Sequence, residues 1–78
     1  MAKIKFRLRG SGEETVILRI FDTSGRQVRT MSGVFSPDYH EFQWKGTDDT
    51  GSKLPSAMYF LRLSAGDDVA LRTATILK

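Results

Sequence analysis

Seventy-eight residues make one small domain, and 40% hydrophobic with 10% aromatic content suits a folded chain and excludes a disordered tail. The chain has no cysteine, which excludes disulfides and thiol chemistry, and its net charge of +3 is lower and more scattered than a nucleic-acid binder needs. No apolar run approaches the ~20 residues that cross a bilayer, so membrane insertion is not expected.

In residues 3–9, Ile4, Phe6 and Leu8 alternate with Lys3, Lys5, Arg7 and Arg9. Period two predicts a strand with one apolar face, and the basic row reads as an edge defended against pairing with another chain. Residues 15–22, TVILRIFD, predict a second strand with Val16, Leu18 and Ile20 inward and Ile17, Arg19 and Phe21 on a mixed outer face. The turn at Asp22 and Gly25 uses an aspartate that bonds the backbone ahead of it and a glycine free to take positive φ. A third strand is expected over residues 26–33, with Val28 inward and a bulge near its end where Thr30 and Met31 break the alternation. Residues 34–39, with Pro37, read as a loop from which Phe35 folds back onto the core.

Residues 40–45 predict a fourth strand in which His40, Phe42 and Trp44 share one face and Glu41, Gln43 and Lys45 the other. Trp44 is the largest single apolar load available to the core. The polar stretch GTDDTGSKLPS is a turn-rich loop. A fifth strand follows over residues 58–65, with Tyr59, Leu61 and Leu63 inward, and Tyr59 is placed to tie its hydroxyl to loop backbone as in a tyrosine corner. AGDD turns the chain into a last strand over residues 69–78, with Ala74 and Ile76 inward. Short strands, regular turns and no helix imply an all-β chain: a sandwich of six to seven short antiparallel strands in two sheets.

The stretches VILRIFDTSGRQVRTM, HEFQWKGTDDTG and LPSAMYFLRL, in this order and spacing, resemble the FlgD Ig-like domain, the C-terminal Ig/fibronectin-III-like module of bacterial flagellar hook-capping proteins and of many secreted bacterial proteins. The resemblance covers nearly the whole chain, including the lead-in IKFRL. It maps onto Asp22, Gly25, Arg26 and Val28 of the first turn and strand, and onto His40, Trp44, Gly46, Asp48, Asp49 and Gly51 of the middle stretch. It ends on Tyr59 and Leu63. These are fold-determining positions in that family. Three residues depart from its wording: Asp38 and Ala57 stand where glycines are usual, and Lys45 where an aspartate is usual. The two lost glycines imply turns that need no positive φ, or strain.

Few side chains form a chemical constellation. Asp48 and Asp49 in a glycine-bounded loop are the first candidates for a metal, here calcium, ahead of Asp67 and Asp68, but too few oxygens accompany them and Lys45 and Lys53 crowd the loop. Capping of turn amides is the simpler role, for them and for Asp67 and Asp68. His40 is the single histidine, without the partners that a zinc ligand or catalytic base needs. No serine has a histidine placed to activate it, and no glycine-rich loop opens a helix. Arg19, Arg62 and Arg72 make an anion-binding patch only if they share a face. No catalytic residue and no cofactor is therefore expected.

The resemblance implies a non-enzymatic structural or interaction module, a spacer or contact surface for a protein partner or for neighbouring domains of a parent chain. An unpaired edge, at residues 3–9 (Lys3 to Arg9) or at the last strand, is the candidate docking place. The family's usual settings are extracellular, cell-surface or periplasmic. The N-terminus MAKIKFRLRG has no signal-peptide apolar region, so a trimmed or recombinant piece is expected. The alternatives are an engineered sandwich used as a binder or assembly component, and a module for carbohydrate or another anionic polymer. The last needs exposed aromatics in line, for which Phe21, Phe35, Tyr39 and Phe60 are the candidates.

Overall fold

The computed structural model describes residues 2–77. Six antiparallel strands form two sheets: β1 (Ala2–Arg7), β2 (Glu14–Phe21), β3 (Gln27–Phe35), β4 (Tyr39–Trp44), β5 (Ala57–Ala65) and β6 (Asp68–Ile76). β1 pairs with β4 in one sheet, and β3-β2-β5-β6 is the order in the other. The two sheets face each other as an Ig-like sandwich.

Alternation decides which side chains meet between the sheets. Ile4 sits opposite Phe42 on the small sheet, and Leu18 opposite Leu63 and Ile20 opposite Leu61 on the large one. With Phe6, Leu8, Val16, Val28, Trp44 and Tyr59 they form one buried cluster, edged by Met31, Phe35, Ala74 and Ile76. The inward assignment of Ala74 and Ile76 thus holds. Leu54 is also buried in this core. It comes from the stretch expected as a polar loop, in which it is the one large aliphatic residue.

Several expected boundaries move. Val34 and Phe35 belong to β3 and Tyr39 to β4, so the loop shrinks to residues 36–38. Phe35 does reach the core, but as a strand residue. It pairs opposite Glu14, with its ring edge-on to Phe6 and Phe42. The bulge lies at the start of β3, not at Thr30 and Met31. Ile20 opposes Arg29 while Phe21 opposes Gln27, which leaves Val28 as the extra residue. Val28 and Arg29 consequently both turn inward, and normal alternation runs through Thr30 and Met31. Leu8 and Arg9 lie beyond the end of β1, though Leu8 stays buried and donates its amide to Asp38 O at 2.7 Å. Asp22, Arg26 and Lys45 fall just outside the ladders, while Ala57 and Asp68 join them; the expected end of the last strand at Lys78 lies outside the described residues.

Because the small sheet has two strands and the large one four, it does not cover all of β6. Ala70 and Arg72, on the inner side of β6, are exposed, whereas Ala74 and Ile76 nearer the core are half-buried. Arg72 spans the open side and donates from Nη1 to Lys5 O on β1 at 2.9 Å.

Candidate functional site: turns, caps and the outer face of the large sheet

The two aspartate turns have the same construction. In D-T-S-G-R, Asp22 Oδ1 accepts from Ser24 N (3.0 Å), Ser24 Oγ (2.6 Å) and Arg26 N (3.0 Å), and Asp22 N donates to Arg26 O at 2.9 Å. In D-D-T-G-S, Asp48 Oδ1 accepts from Thr50 N (2.9 Å), Thr50 Oγ1 (2.7 Å) and Ser52 N (3.0 Å), and Asp48 N donates to Ser52 O at 2.9 Å. Gly25 and Gly51 close the turns, each with φ of +88°. The two turns make a local repeat, D-x-S/T-G twenty-six positions apart, that the sequence itself carries. The hydroxyl donor first, and then the turn amides, hold both carboxyls below the ordinary aspartate range.

Asp49 works elsewhere. Its Oδ1 accepts the amide of Thr30 at 3.0 Å and its own amide donates to Val28 O at 3.0 Å, so the loop caps the free edge of β3. Arg29, swung inward by the bulge, donates from Nη1 to Asp48 O at 3.1 Å, while its buried Nε has no hydrogen-bond partner among the described residues. Asp48 and Asp49 therefore serve different backbone groups. Among the described residues no three His, Cys, Asp or Glu side chains gather as metal ligands.

The core carries the other polar devices. Trp44 Nε1 donates to Thr47 O at 2.8 Å, and its ring stands edge-on to Tyr59, 5.3 Å between centroids. Tyr59 Oη donates to Pro55 O at 2.7 Å, as a tyrosine corner should. His40 lies at the sandwich rim against Phe6 and Phe35, and its Nε2 donates to Ser36 O at 2.6 Å, which a carbonyl can only accept. The three departures are accommodated. No residue other than glycine has positive φ among the described residues, so Asp38 and Ala57 are unstrained. Asp38 gains a 2.8 Å ion pair with Arg7 Nε. Lys45 is exposed at the end of β4.

The conspicuous surface is the outer face of the large sheet. Phe21 opposes Phe60 across β2 and β5, and Arg19 opposes Arg62 one step along. Thr73 and Leu71 extend these two rows onto β6. Met58 and Phe60, each 43% exposed, stand with Val69 and Leu71 as uncovered apolar side chains. Arg72 does not share this face, so the three-arginine patch reduces to Arg19 and Arg62. Of the candidate aromatics only Phe21 and Phe60 lie together. Phe35 is in the core, and Tyr39 stands on the small sheet beneath the Arg7 guanidinium, 5.4 Å from its ring centroid. A groove of about 260 Å³ opens between β1 and the β5–β6 hairpin, floored by Phe6, Leu8, Val16 and Leu63 with Arg7 and Glu14 at its rim.

Residues 2–68 match the profile of the FlgD Ig-like domain. The chain belongs to the FlgD Ig-like domain family. No curated protein and no solved structure matched the chain. The match takes in β1 to β5 and the β5–β6 turn, and the bulk of β6 follows its end. The FlgD Ig-like domain is typically a non-catalytic module, and the roles found here for its aspartates and aromatic residues are turn closure, edge capping and core packing.

Proposed function

We propose that this FlgD Ig-like domain is a non-enzymatic contact module, holding the outer face of its large sheet against a protein partner or a neighbouring domain of a parent chain outside the cytoplasm. The uncovered apolar strip Met58, Phe60, Val69 and Leu71 beside the Arg19–Arg62 pair supports this reading. Apolar side chains grouped on one side of a small domain mark contact surfaces. Two guanidiniums directly opposite each other destabilise a bare sheet, and an anionic partner relieves them. The mechanism is display: the packed core fixes the strands, and the strands fix the face.

In a two-domain piece of a parent chain, Phe60→Ser with Leu71→Ser should lower the melting temperature of the pair and leave that of the isolated domain unchanged. Equal effects on both would sink the contact reading. Turnover of any substrate in a broad activity panel, abolished on denaturation, would overturn the non-enzymatic part. The Phe21–Phe60 pair next to two arginines favours a second reading, a site for an anionic carbohydrate; a glycan array without a hit would remove it.

A further inference from the structure

The sandwich has four edge strands, and they are not equally protected. β1 alternates Lys3, Lys5 and Arg7 outward, and its Lys5 carbonyl is taken by Arg72. β3 is bulged at Val28 and capped there by Asp49. β4 has six residues, follows Pro37 and carries Glu41 outward. These are the usual defences of an edge. β6 has nine residues, no proline and no lysine. Its one basic residue, Arg72, is turned away to β1. Its outer side chains Val69, Leu71 and the following Leu77 are 50%, 78% and 85% exposed. Of the two edges the sequence offered for docking, β1 carries a full row of outward basic residues, while β6 has only the inward-pointing Arg72.

We propose that β6 is a self-pairing edge: two copies of this chain join β6 to β6 antiparallel, centred on Thr73, into a continuous eight-stranded sheet. The inference rests on the contact-module reading and names a second copy as the partner. A two-fold axis normal to the sheet keeps outward residues opposite outward residues, so one residue must oppose itself. Centring on Arg72 would set two guanidiniums opposite each other, which is destabilising. Centring on Leu71 would oppose Gly66 and Asp67 of the turn to Ile76 and Thr75, and would leave Leu77 in water. Centring on Thr73 opposes Leu71 to Thr75, Val69 to Leu77, Ala70 to Ile76 and Arg72 to Ala74. No like charges stand directly opposite in that register, the two Arg72 side chains being diagonal neighbours tied to their own β1 strands, and the three most exposed apolar side chains of the edge each gain a cross-strand neighbour. The outer strip of one copy then runs into that of the other, since Thr73 sits beside Phe60 and Thr75 beside Met58.

Sedimentation of the wild-type chain across a concentration series should show a reversible monomer–dimer equilibrium. Thr73→Lys places two ammonium groups face to face on an exposed, outward position. It should weaken the dimer at least about tenfold, equivalent to about 1.4 kcal/mol, with the monomer still folded by circular dichroism. Thr73→Glu should do the same, and an equimolar mixture of the two variants should dimerise again. Directly opposed Cα atoms lie about 4.5–5.5 Å apart, within disulfide reach, so Thr73→Cys should oxidise to a covalent dimer in a chain that otherwise lacks cysteine. Leu71→Cys, offset by four residues from its own copy, should not. A wild-type monomer at all concentrations, or a dimer indifferent to Thr73→Lys, overturns the pairing. A monomer whose two-domain contact still depends on Phe60 and Leu71 would overturn it while leaving the contact-module reading in place.

Discussion

Single atoms carry much of the organisation of this domain. Trp44 is buried and bonds Thr47 O through its indole nitrogen, so it joins core packing to the start of the long loop. Trp44→Ala should cost about 3–5 kcal/mol in chemical denaturation, a large part of what so small a domain has. Trp44→Phe should cost less, because the packing is largely kept and one hydrogen bond, worth about 1 kcal/mol, is lost. Asp22 and Asp48 bear on stability in acid. Their carboxyls are held below the ordinary value of 3.8, foremost by the hydroxyls of Ser24 and Thr50. The stability from each ionised form is complete above that value and is lost as pH falls through the lowered native value. A melting-temperature profile should therefore drop below about pH 4, and the drop should shrink in the double variant Asp22→Asn, Asp48→Asn. An unchanged acid limb would refute this assignment.

At the scale of elements, the decisive relation is between the loop of residues 46–56 and the edge of β3. The loop is anchored at both ends, by Leu54 in the core and by the Leu54 amide on Gly46 O at 2.8 Å. Between the anchors it lays Asp49 along β3 next to the bulge. Asp49→Ala removes the acceptor for the Thr30 amide but leaves the Asp48 turn intact. Hydrogen exchange at Thr30 should then quicken, with little change at core amides such as Leu18 and Leu61. Uniform acceleration across the sheet would mean instead that the loop supports the whole fold. The bulge belongs to the same relation: by turning Arg29 inward it places a guanidinium on Asp48 O, joining one aspartate turn to the strand that follows the other.

The whole molecule is two unequal sheets, and its open side is closed by few contacts. Arg72 reaches β1, and Gly46, with φ of +76°, lies where a Cβ would come 3.4 Å from Ile76 Cγ2. Gly46→Ala places an alanine in a left-handed backbone, which costs about 1–2 kcal/mol, while its Cβ only comes into van der Waals contact with Ile76. Thermal unfolding should report a destabilisation of that order, and a neutral result would show that the turn at residue 46 does not require a left-handed backbone.

Period-two alternation was enough to give the class, the six strands and nearly every core position, because a strand with one buried face leaves its mark on alternate residues. The wording of the two D-x-S/T-G turns and of the Trp44 and Tyr59 stretches also placed the family, since those bonds are local and close over a few residues. The sequence by itself could not place the bulge, because Val28 and Arg29 turn inward together only through pairing with Ile20 and Phe21. Nor could it bury Leu54, cap β3 with Asp49, or separate Arg72 from Arg19 and Arg62. Each of these depends on strand register or on contacts between separate segments, which the local pattern of residues does not carry.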